Sequence, residues 1–257
     1  MIIDTNVYVS HWPFRRLPGD ELPELIAKLR EHSVTQAWAG SFDGILHEDV
    51  GGVNKRLAET CRRTETRDLL IPFGTVNPTL PDWEEDLRRC REEYNMPGIR
   101  LHPSYQGYSL DDPRFADLLR QAAERKMIVQ LVLNMEDERT QHPLARVTEP
   151  DTGPVLKLLP QIPGLRLVIQ NRKREPSGKL LGRLSYQGEV YFDFAMLEGV
   201  GAIAKLIEEI PSDRVLFGSH YPFFYFESAL LKVKESGLSE SQQKAIFSEN
   251  ADLVLEA

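Results

Sequence analysis

Three segments place side chains capable of acid–base chemistry at the ends of short apolar runs. His220 lies in the segment Gly-Ser-His-Tyr-Pro, while Arg100 and His102 are two residues apart, as are Asn6 and Tyr8. Residues two apart on a strand share a face. A histidine can take or release a proton near neutral pH. The pattern predicts a site in which His220, His102 and Tyr8 are catalytic and in which Asn6 and Arg100 bind the substrate.

Further binding residues are expected after the first and sixth apolar runs. Asn171 ends the sixth run, and the segment after the first run contains Trp12, Arg15 and Arg16. A guanidinium group binds a carboxylate through two parallel hydrogen bonds, and aromatic rings form apolar pocket walls. Asn171, Arg15, Arg16 and Trp12 are therefore interpreted as substrate-binding residues for a small, anionic molecule.

Each of these residues also has a structural interpretation. His220 would hydrogen-bond a loop, His102 would brace the turn at Pro103, and Arg100 would pair with a nearby acid. The polar residues Asn6, Tyr8 and Asn171 would fill space with hydrogen-bonded side chains. Trp12 would anchor its loop to the rim of the fold.

Eight apolar runs can position these residues. Nearly continuous apolar character is typical of parallel strands that are covered on both faces. The runs are Met1–Val9, Val34–Ser41, Leu69–Val76, Gly98–His102, Met127–Leu133, Leu165–Gln170, Glu189–Phe194 and Arg214–Ser219.

Segments with helical periodicity separate most of these runs. Asp112 before Pro113 is typical of a helix start, and Ser239 with Gln242 fits a capping box for a last helix that ends near Glu249. The sixth unit is polar and predicts only a short helix near Lys179–Leu184. Eight alternating units in 257 residues predict one α/β domain over residues 1–257, a (β/α)8 TIM barrel with its chemistry at the carboxyl ends of the strands.

The overall charge limits the possible partners. The net charge is −8, which argues against nucleic acid or an anionic membrane surface as a partner. The two cysteines lie in predicted helices and indicate no disulfide framework. Without a signal segment or a long apolar stretch, the expected location is the cytoplasm. The sequence leaves open whether the chain forms a homo-oligomer.

Four segments, in the same order along the chain, resemble the amidohydrolase-related family of TIM-barrel metal-dependent hydrolases. Ile3–Tyr8 (IDTNVY) resembles the first-strand IDxHxH motif, and Gly98–Pro103 (GIRLHP) resembles the fourth-strand motif. Arg214–Pro222 (RVLFGSHYP) is similar to the eighth-strand R-[IV]-L-F-G-S-D-[YW]-P, and Ile246–Ala251 is similar to the segment after the last barrel helix. The resemblance implies a metallo-dependent hydrolase-like barrel.

The resemblance also implies a metal site whose ligands are replaced here. The family's metal ligands align with Asn6, Tyr8, Val132, Asn171 and His220, of which only His220 is a usual zinc ligand. We therefore expect no tightly bound metal and no other cofactor, with zinc or another divalent ion as the alternative.

The favoured function is metal-independent hydrolysis of a small ester, lactone or related carbonyl compound, with His220 as the general base. One alternative is a metal-dependent hydrolase with a shifted ligand set, built from His102 and His220 with Asp4 or Asp193. Another is a non-catalytic barrel that binds a small carboxylate or sugar. The sequence does not separate a hydrolase from a decarboxylase or another lyase.

Overall fold

Eight parallel strands form a barrel in the computed structural model, which describes residues 1–173 and 180–256. The strands neighbour one another in chain order. The main chains of β1 and β8 close the ring, because Thr5 N donates to Phe217 O at 2.9 Å and Tyr8 N donates to Tyr221 O at 3.0 Å. The predicted TIM barrel is confirmed. The strands are β1 (Ile2–Val9), β2 (Val34–Ser41), β3 (Leu70–Gly74), β4 (Gly98–Leu101), β5 (Ile128–Val132), β6 (Arg166–Gln170), β7 (Glu189–Asp193) and β8 (Val215–Leu216).

Helices connect the strands and cover the outside of the barrel. They are α1 (Leu22–Glu31), α2 (Val50–Cys61), α3 (Trp83–Glu92), α4 (Pro103–Gln106), α5 (Pro113–Glu124), α6 (Val155–Leu158), α7 (Leu180–Gln187), α8 (Ala202–Glu209), α9 (Phe226–Glu235), α10 (Glu240–Lys244) and α11 (Asn250–Glu256). Short 3-10 turns span Phe42–Ile45, Pro143–Ala145, Leu159–Gln161 and Ser212–Arg214.

The predicted helix starts at Asp112 and Ser239 are present. Asp112 accepts a hydrogen bond from Arg114 N at 2.9 Å, and Ser239 forms a capping box with Gln242. The last helix does not end near Glu249, because a π-helical turn over Ala245–Glu249 joins α10 to α11. The short helix of the sixth unit is α7, and the start predicted for it at Lys179 lies outside the described residues.

The barrel interior contains a polar layer above an apolar one. The lower layer is an apolar cluster that includes Ile3, Trp38 and Phe73. Above it, the main-chain oxygen of Thr5 accepts three bonds, from Arg100 Nη2 at 3.2 Å and from Gln130 Nε2 and Gln170 Nε2 at 2.8 Å each. We refer to Thr5, Arg100, Gln130 and Gln170 as the interior polar layer. It forms the floor below the carboxyl ends of the strands.

Within residues 1–173 and 180–256, no helix has the length and hydrophobicity that a transmembrane span requires.

Candidate active site

Tyr8 and His102 form a hydrogen-bonded pair at the carboxyl ends of β1 and β4. Tyr8 Oη lies 2.9 Å from His102 Nε2. Phe42 stacks on the Tyr8 ring with centroids 4.7 Å apart, and the Arg100 guanidinium carbon lies 4.5 Å from the centre of that ring. His102 Nδ1 is buried and has no hydrogen-bond partner in the described part of the chain. The pair therefore has one ring nitrogen available for a further contact.

Burial keeps both members of this pair neutral near pH 7. Burial raises the pKa of Tyr8 to about 12, against the opposing effect of Arg100. Burial, together with the charges of Arg100 and His220, holds the pKa of His102 well below its usual value of 6.5. A neutral imidazole carries one proton, so hydrogen bonding to Tyr8 decides whether Nδ1 is a donor or an acceptor.

His220, at the end of β8, uses both of its ring nitrogens. Nε2 lies 2.7 Å from Met135 O, and Nδ1 lies 3.2 Å from Asn171 Nδ2. Because a carbonyl oxygen only accepts, Nε2 carries the proton and Nδ1 accepts from the amide. Burial lowers the pKa of His220 to about 3. These contacts speak against the expected general-base role and favour the structural interpretation of His220.

His220 and Asn171 also share an uncommon backbone conformation. Both have φ of +58°. Residues other than glycine rarely occupy this left-handed region, and doing so costs on the order of 1 kcal/mol or more. The contact between the two side chains helps hold both strand ends in this conformation. His220 therefore forms part of a rigid corner of the site.

Asn6, Asn171 and Asp193 form a hydrogen-bonded network beside His220, in which the buried Asn6 Oδ1 has no partner among the described residues. Asn6 Nδ2 donates to Asn171 Oδ1 at 2.7 Å and to Asp193 Oδ2 at 2.6 Å, and Asn171 N donates to Asp193 Oδ1 at 2.9 Å. Burial raises the pKa of Asp193 to about 6. The donors of Asn6 and Asn171 are engaged with the protein, which supports the space-filling alternative for these two residues.

Two buried carboxylates are more central than the sequence suggested. Asp193 organises both asparagines, and Asp4 accepts bonds from Ser219 N at 3.0 Å and Asn6 N at 3.0 Å. Burial raises the pKa of Asp4 to about 7. In the sequence, the only indication that Asp4 and Asp193 belong to the site is their position on strands that carry other site residues. That position does not reveal which distant groups they bind.

Arg100 points into the barrel and not toward a substrate. Its guanidinium donates to Val7 O at 2.8 Å, to Trp38 O at 2.8 Å and, through Nε, to Gln130 Oε1 at 2.7 Å. A side chain at position 40 would collide with it, since a Cβ added to Gly40 would lie 2.8 Å from Arg100 Nη1. These contacts do not support the expectation that Arg100 binds the substrate. Arg100 belongs to the interior polar layer.

Aromatic side chains cover the Tyr8–His102 pair. We refer to Trp12, Phe14, Phe42, Tyr105 and Phe223 as the aromatic cap. The Trp12 ring contacts the other four rings at centroid distances of 4.9 to 5.9 Å. Trp12 is 2% exposed, and its Nε1 has no hydrogen-bond partner among residues 1–173 and 180–256. The predicted position of Trp12 above the site is consistent with this packing.

The two arginines after β1 have different surroundings. Arg15 Nη1 lies 2.5 Å from Glu136 Oε2, and the Arg15 guanidinium carbon is 5.6 Å from the Phe223 ring centre. Arg16 is bound by Asp20 at 2.7 Å and by Glu21 at 2.7 Å and has a 60% exposed side chain. Arg15 thus reaches the aromatic cap, whereas Arg16 lies at the rim with its charge already paired.

The positions aligned with the family's metal ligands do not fit a metal ion as they stand. The amide nitrogens of Asn6 and Asn171 donate within this network, Tyr8 stays protonated, and His220 has both nitrogens engaged. Asn6 Oδ1 has no partner among the described residues, but a neutral amide oxygen is a weak ligand by itself. Val132 offers no donor atom. The structure does not bring His102, His220 and Asp4 or Asp193 together as a ligand group either, in the ranges it describes.

Two other groups of described residues are close enough together to hold a metal ion, and both lie outside the barrel mouth. A lysine or arginine side chain is already paired with the carboxylates of each group. The groups are His11 with Asp20 and Glu21, and Glu31 with His32 and Glu227.

Solved structures with the same fold include three decarboxylases. A 2,6-dihydroxybenzoate decarboxylase in complex with 2,6-dihydroxybenzoate has a TM-score of 0.74 and 14% identity, covering 100% of this chain and 99% of that one. A 5-carboxyvanillate decarboxylase from Sphingomonas paucimobilis has a TM-score of 0.75 and 12% identity, covering 99% and 98%. A dihydroxybenzoic acid decarboxylase from Polaromonas sp. JS666, with bound manganese and 2-nitroresorcinol, has a TM-score of 0.71 and 14% identity, covering 99% and 96%.

The third of these structures contradicts the expectation that no cofactor is used. It contains manganese in an enzyme that shares this fold over nearly its whole length. The expectation rested on the replaced ligand positions alone, and the fold comparison overrides it.

The sequence comparisons agree with the resemblance carried by the four motifs. No curated protein matches the chain. The amidohydrolase family model matches residues 11–255, which is nearly the whole chain, and it includes three of the four segments completely. The chain therefore belongs to the amidohydrolase family.

Proposed function

We propose that this chain is an enzyme that acts on a small carbonyl compound at the barrel mouth, with Tyr8 and His102 moving the proton. The substrate class is an aromatic carboxylate, or an ester or lactone related to one. The observation that carries the proposal is the 2.9 Å hydrogen bond between Tyr8 and His102, next to a His102 Nδ1 that has no partner among the described residues.

The pair has two tautomers with different chemistry. When Tyr8 donates to Nε2, His102 Nδ1 carries the proton and can donate to a substrate carbonyl oxygen. When Nε2–H donates to Tyr8, Nδ1 is a free base that can accept a proton. A pKa well below 6.5 makes His102 a hydrogen-bond donor or a weak base, and not a standing cation. This suits the polarisation of a carbonyl group by Nδ1–H, or the acceptance of a proton by Nδ1, at neutral pH.

The aromatic cap supports an aromatic substrate. Trp12, Phe14, Tyr105 and Phe223 would surround a planar ring, and Trp12 Nε1 would donate to one of its polar substituents. Similar structures contain 2,6-dihydroxybenzoate or are 5-carboxyvanillate decarboxylases, so they act on aromatic carboxylates. Arg15, which lies over Phe223, is the cation best placed to meet the carboxylate.

Access to the pair requires movement of the cap, because Tyr8, His102 and Trp12 are almost fully buried. The Arg15–Glu136 ion pair links the segment after β1 to the segment after β5. A substrate carboxylate that replaces Glu136 as the partner of Arg15 would release this link. Binding and opening would then be coupled.

Steady-state kinetics test the proposal. The panel contains 2,6-dihydroxybenzoate, phenyl acetate and dihydrocoumarin, each assayed with and without added Mn²⁺. We expect turnover of at least one compound by the wild type. In His102→Gln, kcat should fall by a factor of at least about 10², because one proton-transfer group is lost. The matched control is His47→Gln, an exposed histidine.

Equal kcat in His102→Gln and the wild type would contradict the assigned role. Absence of turnover across the panel, together with thermal stabilisation by one of the compounds, would support a non-catalytic binding barrel instead. The observation in favour of that second candidate is the complete burial of His220 and Asn171, which hydrogen-bond to each other while His220 also donates to Met135 O.

A further inference from the structure

A cavity outside the barrel mouth is lined by an excess of basic side chains. It has a volume of about 420 Å³ and lies beside the carboxyl ends of β6 and β7. Three cationic and two anionic side chains contribute to its walls. The lining residues are Arg172, Lys173, Leu197, Glu198, Ala202, Lys205, Leu206 and Glu209.

Lys173 is the exceptional residue in this wall. Its Nζ atom is buried and has no hydrogen-bond partner in the described parts of the chain. The carboxylate of Asp137, whose pKa the Lys173 charge helps to lower, is already held by Arg139 at 2.9 Å. Arg172, also in the wall, is 6% exposed. Burying an ammonium group without a partner is costly, so an external anion would stabilise this arrangement.

The start of α8 adds positive potential to the same cavity. The first residue of the helix, Ala202, lines the wall, and the cap residue Gly201 has no side chain that could satisfy the first amide groups. The first three amides of a helix lack partners within the helix, and the helix dipole places partial positive charge there. Lys205, one turn later, forms no ion pair with a described residue.

We propose that this cavity binds the phosphate group of a small molecule, with Lys173 as the central ligand. Lysine and arginine donors and the helix amides can together satisfy the several acceptor oxygens of a phosphate, as helix amides do at many anion sites. Glu198 and Glu209 are exposed and lie in the cavity wall. Their negative charge limits the site to one compact anion. The site does not depend on the Tyr8–His102 pair or on the proposed reaction.

Thermal unfolding in sodium phosphate tests this site, with ionic strength held constant by sodium chloride. The wild type should show a saturable rise in Tm, and Lys173→Gln should lose it, with Kd for phosphate at least tenfold weaker by titration calorimetry. Lys205→Gln should weaken binding less, because Lys205 is exposed. The control is Lys55→Gln, an exposed lysine of α2.

A phosphate-free comparison separates a ligand site from a structural lysine. Because the Lys173 ammonium has no hydrogen-bond partner in the described ranges, Lys173→Gln should be at least as stable as the wild type without phosphate. A lower Tm in that buffer, or an equal phosphate response in both proteins, would overturn the proposal. So would a wild-type response that does not saturate. Phenyl phosphate binding more tightly than inorganic phosphate would assign the site to an organic phosphate, and equal binding would assign it to the free ion.

Discussion

The two halves of the barrel mouth differ in how completely the protein satisfies the ring nitrogens of their histidines. On one side, His102 bonds to Tyr8 and keeps Nδ1 without a partner among the described residues. On the other, His220 bonds to Met135 and Asn171, and Asn171 continues into the Asp193 network. Two buried histidines after barrel strands thus have different hydrogen-bond surroundings. What distinguishes them is the number of ring nitrogens left available, not burial or position.

The largest expected effect on stability comes from His220→Leu. This change leaves Met135 O without its bond from His220 and one N–H of the Asn171 amide without an acceptor, while Asn171 Nδ2 still donates to Asn134 O. Each unsatisfied buried group costs about 1–3 kcal/mol. We expect the free energy of unfolding in urea to fall by roughly 3 kcal/mol. His47→Gln, at an exposed site, should change it by less than about 0.5 kcal/mol. A loss as small in His220→Leu as in the control would remove the distinction between the two halves.

The pH dependence of that difference is the second test. The pKa of His220 is about 3 in the folded state, below the usual value of 6.5, so its stabilising contribution is complete above pH 6.5 and is lost as the pH falls toward 3. The stability advantage of the wild type over His220→Leu should shrink by about 1.4 kcal/mol per pH unit below 6.5.

The measurement compares the wild type with His220→Leu because two acids, Asp4 and Asp193, give the unfolding stability the opposite pH dependence. Asp4 and Asp193 have folded-state pKa values raised to about 7 and about 6, so their contribution is lost as the pH rises through those values. Both acids are present in the wild type and in His220→Leu, and their effect cancels in the difference. An advantage that stays constant between pH 6.5 and 4.5 would show that His220 is not kept neutral.

The smallest expected effect on stability comes from Tyr8→Phe on the other side. The ring keeps its stacking on Phe42 and its contact with Arg100, and only the hydroxyl that contacts His102 is lost. Unfolding stability should change by no more than about 1 kcal/mol, close to that of the exposed control Tyr186→Phe. A loss above about 2 kcal/mol would make the pair a structural element like its neighbour across the mouth.

The fold was more predictable than the site because its signals are local. Apolar runs and the segments Gly98–Pro103 and Arg214–Pro222 are contiguous in the chain, so strand ends and family could be inferred from them. The partners of Arg100 and His220 are not contiguous. Arg100 bonds to Val7, 93 residues away, and His220 bonds to Met135, 85 residues away. Strand position places such side chains at a level of the barrel but does not choose their partners.

Trp12 illustrates the same limit. Its placement above the site was expected, yet the sequence did not indicate that its ring would pack against Phe42, Tyr105 and Phe223 and seal the mouth. The expectation about metal failed for a different reason. It was drawn from five positions of this chain alone, whereas an enzyme that shares the fold over nearly its whole length contains manganese.

The three bonds that meet at Thr5 O also bear on how the barrel assembles. This oxygen joins β1 to residues of β4, β5 and β6 across the interior. A fragment that ends after β3 contains the Thr5 oxygen without its donors. A fragment that begins at β4 buries the Arg100 guanidinium without its three main-chain acceptors and leaves it only Gln130 Oε1. Half-barrels of this chain should therefore not be stable intermediates. The amide protons of these four strands should exchange with solvent together, in one cooperative opening.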